Sequence, residues 1–143
     1  EIKQAIEEYL PTNNRSQLIN KGSTQIILDA YNANPTSMIA ALQHFNTIKT
    51  ASKMVFLGDM FELGETAQEE HQDIVDYLSN TNIDEVHLIG SYFSKTKFQA
   101  KNIYQYTSFE ALKKAFKNYI PKDTTVLIKA SRGMALERIL PLL

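Results

Sequence analysis

The sequence predicts an α/β fold, and three observations lead to that prediction. Short runs of β-branched and apolar residues alternate with segments in which apolar residues recur every three or four positions, the pattern of parallel strands joined by crossover helices. The strand-like runs are apolar at successive positions, as in strands that are covered on both faces. The 143 residues, 43% of them hydrophobic, suffice for one buried core and are too few for two ordinary domains. We therefore expect a mainly parallel, Rossmann-like sheet of about six strands with helices on both faces.

The predicted strands follow the apolar runs of the sequence. Four runs are clear, and they cover residues 25–30, 53–58, 85–90 and 125–130. A weaker run near residues 102–106 predicts one more strand. Because all of these runs lack regular polar alternation, each is expected inside a sheet that has helices on both sides.

Three helices are predicted between the strands. Their apolar residues recur at helical spacing: Met38, Ala41, Leu42 and Phe45; Ala67, Ile74, Val75 and Leu78; and Phe109, Leu112 and Phe116. Thr36 or Ser37 is a suitable N-cap for the first helix, and Ser108 for the third. Thr66 followed by Glu69 has the spacing of a capping box at the start of the second helix.

The two ends of the sequence also have helical patterns, near residues 2–10 and 134–140. The sequence begins at Glu1, inside the first of these patterns and without a methionine. We therefore expect the natural protein to continue upstream.

Composition excludes several classes of function. Fifteen Lys and Arg against sixteen Asp and Glu give a net charge of −1, so no bulk positive field favours nucleic acid or anionic lipid. The sequence has no cysteine, which excludes disulfides and thiolate metal sites, and it has no long apolar run or signal-peptide pattern. We expect a cytoplasmic protein that binds neither nucleic acid nor membrane.

Polar residues follow three of the predicted strands. They are Asp29, Tyr31, Asn32 and Asn34 after the first, Asp59 and Glu62 after the second, and Lys129, Ser131 and Arg132 after the last. Ligands of open parallel sheets bind beyond the carboxyl ends of the strands, where the loops converge. The sequence therefore predicts a ligand site at this edge.

Two common nucleotide-binding motifs are absent from the sequence. It contains neither a G-x-x-x-x-G-K-S/T phosphate loop nor a G-x-G-x-x-G after a strand, so the chain alone does not encode an NTPase of those types. His44, His71 and His87 lack metal-ligand spacing. No metal site is expected from this chain alone.

Three stretches of the sequence resemble one family. Residues 27–38 read Ile-Leu-Asp-Ala-Tyr-Asn-Ala-Asn-Pro-Thr-Ser-Met, residues 57–64 read Leu-Gly-Asp-Met-Phe-Glu-Leu-Gly, and residues 129–134 read Lys-Ala-Ser-Arg-Gly-Met. In order and spacing they resemble the C-terminal domain of the Mur ligases, in the branch that adds D-alanyl-D-alanine. Arg15 lies where these ligases carry an arginine that enters the domain. The resemblance implies one C-terminal domain over residues 1–143, without the N-terminal UDP-binding and central ATP-binding domains.

The resemblance also implies an activity. Such ligases use ATP to join D-alanyl-D-alanine to UDP-N-acetylmuramoyl-tripeptide in cytoplasmic peptidoglycan precursor synthesis. They activate a carboxylate as an acyl phosphate, which the amine of the dipeptide attacks. The central domain supplies the phosphate loop and the ligands of Mg²⁺, and the C-terminal domain closes over ATP. The family therefore implies no catalytic residue on this domain alone, and an isolated domain without activity.

The resemblance implies a role for each candidate residue. ATP would be bound by Arg15, Asp29, Tyr31, Asn32 and Asn34, with Arg15 at the γ-phosphate and Asp29 at the ribose hydroxyls. The dipeptide carboxylate would be bound by Lys129, Ser131 and Arg132. Its ammonium group would be neutralised by Asp59 or Glu62.

Structural alternatives stand beside these roles. Asp29 also fits an Asx turn that leads into a helix, and Asp59 and Glu62 also fit the positive N-terminal end of the next helix. His71 is interpreted as a structural or solvent-facing residue. For the whole chain, the alternatives are a stand-alone Rossmann-like module that binds a small ligand and a sister Mur ligase that adds another amino acid.

Overall fold

The computed structural model describes residues 16–116 and 121–143. Its six strands are β1 (Gln17–Lys21), β2 (Thr24–Asp29), β3 (Ser52–Gly58), β4 (Glu85–Ile89), β5 (Ile103–Tyr106) and β6 (Thr124–Lys129). They form one sheet in the order β1-β2-β6-β3-β4-β5. β1 pairs antiparallel to β2, and all other pairs are parallel. The predicted mainly parallel sheet of about six strands is confirmed.

Helices cover both faces of this sheet. The α-helices are α1 (Pro35–Thr47), α2 (Ala67–Leu78) and α3 (Phe109–Ala115). Buried apolar residues of α1 and α2, among them Phe45 and Ile74, form one cluster with one face of the sheet, and Leu112 of α3 belongs to a second cluster on the other face. Leu136 and Ile139 of the 3-10 segment Leu136–Leu142 complete this second cluster. Burial on both faces explains why the central strands are apolar at successive positions.

The strand predictions agree with the structure to within one residue at each end, with one omission. β1 was not predicted because its sequence, Gln-Leu-Ile-Asn-Lys, is mixed and its residues are only exposed or half-buried. Among the described strands it lies at the edge of the sheet and pairs only with β2, through a tight hairpin in which Gly22 has a φ of 60°. A positive φ at this turn suits glycine, which has no Cβ to clash.

Two helix predictions need correction. No α-helix spans residues 134–140: 3-10 turns cover Arg132–Met134 and Leu136–Leu142, and Ala135 between them has a φ of 51°. A left-handed residue interrupts an α-helix at that point. Thr66 caps no helix through its side chain, because its hydroxyl donates to the carbonyl of Leu63 within a 3-10 turn. The helix predicted near residues 2–10 lies outside the described residues.

Two other cap predictions have different outcomes. Ser108 caps α3 as predicted, since its hydroxyl accepts from the backbone N–H of Ala111. The N-cap of α1 is Asn34 rather than Thr36 or Ser37. Ser37 takes part as the third helical residue, because its hydroxyl accepts from the backbone N–H of Asn34.

His87 is a buried histidine of the core. Its Nδ1 lies 2.8 Å from the Tyr106 hydroxyl and its Nε2 lies 2.9 Å from a Glu85 carboxylate oxygen. Its ring is stacked on Phe56 at 4.8 Å and on Tyr104 at 5.2 Å. Burial lowers the pKa of His87, with the Glu85 carboxylate acting in the opposite direction. These contacts give both ring nitrogens a structural partner.

Candidate functional site

The carboxyl ends of β2, β6 and β3 bring the predicted site residues to one edge of the sheet. Asp29 at the end of β2 is the register partner of Lys129 in β6, and Lys129 is also the partner of Leu57 in β3. The loops that follow these strands therefore start side by side. This geometry agrees with the predicted convergence at the carboxyl edge.

Asp29 and Lys129 form an ion pair at the centre of this edge. Lys129 Nζ donates to Asp29 Oδ2 at 2.8 Å and to the backbone carbonyl of Asn32 at 3.2 Å. Lys129 is only 3% exposed, whereas the side chain of Asp29 is 16% exposed. A buried ammonium group requires such partners, and the carboxylate that satisfies it is still reachable from solvent.

The loop after β2 presents its polar side chains to solvent. Tyr31 is 38% exposed, and the guanidinium of Arg132 lies 5.1 Å from the centre of its ring, within the range of a cation–π contact. Asn32 and Asn34 are exposed. Asn34 Oδ1 accepts from the backbone N–H of Ser37 and begins α1, so one of its two amide atoms already has a structural role.

An open cavity of about 520 Å³ lies beside this loop. Tyr31, Arg132, Glu137 and Leu140 line it. It combines an aromatic ring, both signs of charge and an apolar wall, which suits a ligand with a flat ring and polar substituents.

Asp59, which follows β3, is enclosed rather than exposed. It is 2% exposed. Its Oδ2 accepts from the backbone N–H of Tyr92 at 3.0 Å, and its Oδ1 accepts from the backbone N–H of Phe93 at 3.0 Å. The Ser91 hydroxyl adds a longer contact to Oδ2, at 3.5 Å. Asp59 thus binds the start of the 3-10 turn Phe93–Lys95.

His71 of α2 is hydrogen-bonded to the loop after β3. It is fully buried; its Nε2 accepts from the backbone N–H of Met60 at 2.9 Å and its Nδ1 lies 2.6 Å from the carbonyl of Ala67. Nδ1 therefore carries the proton, and the ring is neutral. Burial lowers the pKa of His71, although the Ala67 carbonyl, Asp59 and Glu70 oppose this shift. The interpretation of His71 as structural is confirmed.

The rest of the loop after β3 faces the loop after β6. Ser131 Oγ accepts from the backbone N–H of Phe61 at 2.9 Å, and the exposed ring of Phe61 covers Gly133, where a Cβ would lie 2.8 Å from the ring. Glu62 is exposed and has a φ of 64°. A left-handed conformation costs a non-glycine residue about 1 kcal/mol or more, and here it turns Glu62 outward.

A second cavity, of about 290 Å³, lies between these loops and the loop after β4. Phe61, Ser91, Ser108 and Met134 are among its lining residues. The 3-10 turn Arg132–Met134 lines both cavities, with Arg132 at the first and its other two residues at the second.

Sequence reasoning missed the loop after β4. Gly90, Ser91 and Tyr92 follow β4 at the same edge and contact Asp59 or line the second cavity. The available signal was a glycine and a serine directly after a strand. Arg15 lies outside the described residues. Within residues 16–116 and 121–143, no three His, Asp or Glu side chains are grouped as a metal site would require, and none of the helices has the length and apolar character to cross a bilayer.

The family to which the chain belongs follows from sequence comparison. A model of the family described as Mur ligase, glutamate ligase domain, matches residues 14–132. The chain is therefore a member of this Mur ligase family, as the three sequence stretches predicted.

Individual relatives narrow the comparison to one kind of Mur ligase. The UDP-N-acetylmuramoyl-tripeptide–D-alanyl-D-alanine ligase of Treponema pallidum is 36% identical, over 100% of this chain and 32% of its own length. The ligase of the same name from Bacillus subtilis is 38% identical, over 90% of this chain and 30% of its own length. The MurF ligase of Thermotoga maritima, solved in complex with ADP, superimposes with a TM-score of 0.73 at 27% identity, over 90% of this chain and 30% of that one. The chain thus spans about a third of the length of each relative.

Proposed function

We propose that residues 1–143 are the C-terminal domain of a longer, cytoplasmic, ATP-dependent ligase that joins D-alanyl-D-alanine to UDP-N-acetylmuramoyl-tripeptide during peptidoglycan precursor synthesis. The observation that carries the proposal is the Asp29–Lys129 pair, set beside Tyr31 and Arg132 at the carboxyl edge. The names of the relatives support the reaction, and the ADP complex of one of them supports the nucleotide.

In this proposal the loop after β2 contacts ATP. Lys129 occupies Asp29 Oδ2, and among the described residues no hydrogen bond involves Oδ1, which is free to accept from the ribose hydroxyls. Tyr31 offers a flat, half-exposed ring to the base. The amides of Asn32 and Asn34 contact the nucleotide without bringing negative charge near a polyanion.

The loops after β3 and β6 contact the dipeptide. Ser131, Arg132 and the remaining donor of Lys129 bind its carboxylate, where the guanidinium provides two parallel N–H groups. Glu62 is the carboxylate proposed for its ammonium group. It is exposed, whereas both oxygens of Asp59 already accept from backbone amides.

The chemistry at the ATP phosphates requires groups other than the residues at the carboxyl edge of this sheet. Arg15 is proposed at the γ-phosphate, and a central domain of the longer protein is proposed to supply the phosphate loop and to hold Mg²⁺. Closure of the C-terminal domain then excludes water and completes the site. The chain of 143 residues by itself is accordingly proposed to be inactive, and dipeptide ligation by this chain alone would contradict that statement.

The test is ATP-dependent phosphate release by the full-length ligase with UDP-N-acetylmuramoyl-tripeptide, with D-alanyl-D-alanine or single amino acids as acceptors. The wild type is compared with Asp29→Ala and with Asp73→Ala, which changes an exposed aspartate of α2 away from the edge. We expect release that requires the dipeptide, falls at least about tenfold in Asp29→Ala and is unchanged in Asp73→Ala.

The other outcomes separate the alternatives. Release that requires a different amino acid would assign the chain to a sister Mur ligase. No release with any acceptor, in a natural reading frame that begins at residue 1, would favour a stand-alone module that binds a small ligand.

A further inference from the structure

Gly90 allows the Asp59 carboxylate to approach the loop after β4. Gly90 has a φ of 131°, and a Cβ at this position would lie 2.3 to 2.5 Å from the carboxylate atoms of Asp59. Such contacts require a shift of the carboxylate or of the backbone. Only glycine therefore permits Asp59 to reach the amides of Tyr92 and Phe93.

The backbone of Asp59 extends these contacts to the end of β4 and to the loop after β6. Its N–H donates to the carbonyl of Ile89 in β4 at 3.2 Å, and its carbonyl accepts from the N–H of Ser131 at 3.3 Å. One residue thus has hydrogen bonds to the end of β4, the loop after β4 and the loop after β6. His71 fixes the adjoining peptide through Met60.

We infer that Asp59 is a positioning residue, which joins the loops after β3, β4 and β6 into one platform that holds Ser131 and Arg132 in place for the acceptor dipeptide. The inference rests on the proposed function for the identity of the acceptor. Asp59 borders the second cavity, but its side chain is only 2% exposed and both of its oxygens accept from backbone amides, so we assign its role to these loops and not to contact with substrate.

The platform meets the nucleotide loop where Arg132 lies over the ring of Tyr31, but Asp59 itself is not bonded to that loop. Asp29 and Asn32 are bonded to Lys129, and no hydrogen bond between described residues joins them to Asp59. A disturbance of Asp59 should therefore affect the acceptor much more than ATP, which is held chiefly by the loop after β2. A general loss of folding would lower the amount of active enzyme, and hence the apparent kcat, without a selective change in either KM, so a rise in the dipeptide KM alone distinguishes positioning from general structural damage.

The experiment is Gly90→Ala in the full-length ligase, because this substitution displaces Asp59 without removing any proposed ligand. The matched control is Gly22→Ala, which also changes a glycine of positive φ but whose Cβ would have no neighbour within 4 Å. We expect Gly90→Ala to raise the KM for D-alanyl-D-alanine about 10- to 100-fold, with the KM for ATP within about twofold of the wild type. In Gly22→Ala the KM values for both substrates should stay at wild-type values.

A double-substitution cycle tests the route of this effect. If Gly90 acts through Asp59 on Ser131, then Gly90→Ala should add much less to the dipeptide KM in a Ser131→Ala background than in the wild type. Fully additive effects, or equal rises in the two KM values, would overturn the inference.

A nearly isosteric variant covers the case in which Gly90→Ala does not fold. Asp59→Asn replaces one acceptor oxygen by an NH₂ group that cannot accept from Tyr92 or Phe93, and it should give the same selective rise in the dipeptide KM. If the wild type shows no dipeptide-dependent release, the proposed function fails. The positioning role is then tested by amide hydrogen exchange in the 143-residue chain. The amides of Tyr92, Phe93 and Ser131 should lose protection together in Asp59→Asn, and independent changes would refute the role.

Discussion

The carboxyl ends of β2 and β3 each carry an aspartate, and the two are satisfied in different ways. Asp29 is partly exposed, and its Oδ2 accepts from the long side chain of Lys129. Asp59 is enclosed, and its two oxygens accept from backbone amides. A carboxylate held by a side-chain cation can exchange that contact for a ligand, whereas one held by fixed backbone amides cannot without opening the loops. The carboxyl end of β2 therefore suits ligand binding, and the carboxyl end of β3 suits a rigid arrangement of loops.

The largest expected effect comes from removing the enclosed carboxylate. Asp59→Ala leaves the N–H groups of Tyr92 and Phe93 without acceptors and creates a small cavity, so it should lower the free energy of unfolding by about 3 kcal/mol. Urea unfolding of the 143-residue chain followed by circular dichroism measures this loss. A loss below about 1 kcal/mol would mean that the loops after β3 and β4 do not depend on Asp59.

Substitutions of Asp29 and Lys129, at the carboxyl end of β2, should cost less stability than Asp59→Ala, and the two costs should differ. Asp29→Asn leaves the ammonium group of Lys129 buried beside a neutral amide and should cost about 2 kcal/mol. Lys129→Met leaves a carboxylate that water can reach, and should cost about 1 kcal/mol or less. The same unfolding measurement compares them, and an equal or reversed order would contradict the view of Asp29 as the accessible partner.

Acid should open the loop after β3 before the loop after β2. Burial lowers the pKa of His71 in the folded chain, so below about pH 6.5 the unfolded chain takes up a proton that the folded chain does not. This contribution to stability is complete above that pH and is lost as the pH falls, because a protonated Nε2 cannot accept from Met60. His87 adds to the same global loss, since burial also lowers its pKa.

A local measurement distinguishes opening of the loop after β3 from global unfolding. Amide hydrogen exchange by NMR, from about pH 7.5 to about pH 5.5 and corrected for intrinsic rates, should show lost protection at Met60 but not at Ser37 in α1. Equal changes at both amides would indicate global unfolding and no selective opening of the loop after β3.

The sequence predicted the inner strands of the sheet better than the edge strand β1 and the C-terminal segment. The inner strands were recognisable because burial on both faces requires apolar residues at successive positions, as in β6, where all six residues are buried. β1 has one neighbouring strand and only exposed or half-buried residues, so it carries no such pattern. Residues 134–140 were predicted as a helix because their spacing is helical, but Ala135 has a left-handed conformation that this spacing does not signal.

The location of the candidate site could be predicted from the sequence, but the contacts between its side chains could not. Parallel strands bring their carboxyl ends together, so the list of polar residues could be written from the sequence. The pairing of Asp29 with Lys129 joins residues 100 positions apart, and that of Asp59 with Phe93 depends on the register of β3 and β4. Neither spacing has a local signature. For the same reason the sequence could not show that Asp59 is enclosed.

The smallest expected effect concerns the N-caps of α1 and α2, the helices that follow β2 and β3. Asn34 caps α1 through its side chain, whereas Thr66 makes no such bond to α2. Asn34→Ala should therefore lower the free energy of unfolding by about 1 kcal/mol, and Thr66→Ala by only a few tenths, about 0.3 kcal/mol. Equal losses in urea unfolding would mean that the cap seen at Asn34 is not the source of stability.

Asn34→Asp then separates the cap from the proposed contact with ATP. A carboxylate caps a helix about as well as an amide, so stability should stay within about 0.5 kcal/mol of the wild type. A negative charge beside a bound polyphosphate is repelled, so the KM for ATP in the full-length ligase should rise several-fold. Because the fold is preserved in this variant, an unchanged KM would show that Asn34 serves α1 alone, and the proposed ATP contacts of this chain would be reduced to Arg15, Asp29, Tyr31 and Asn32.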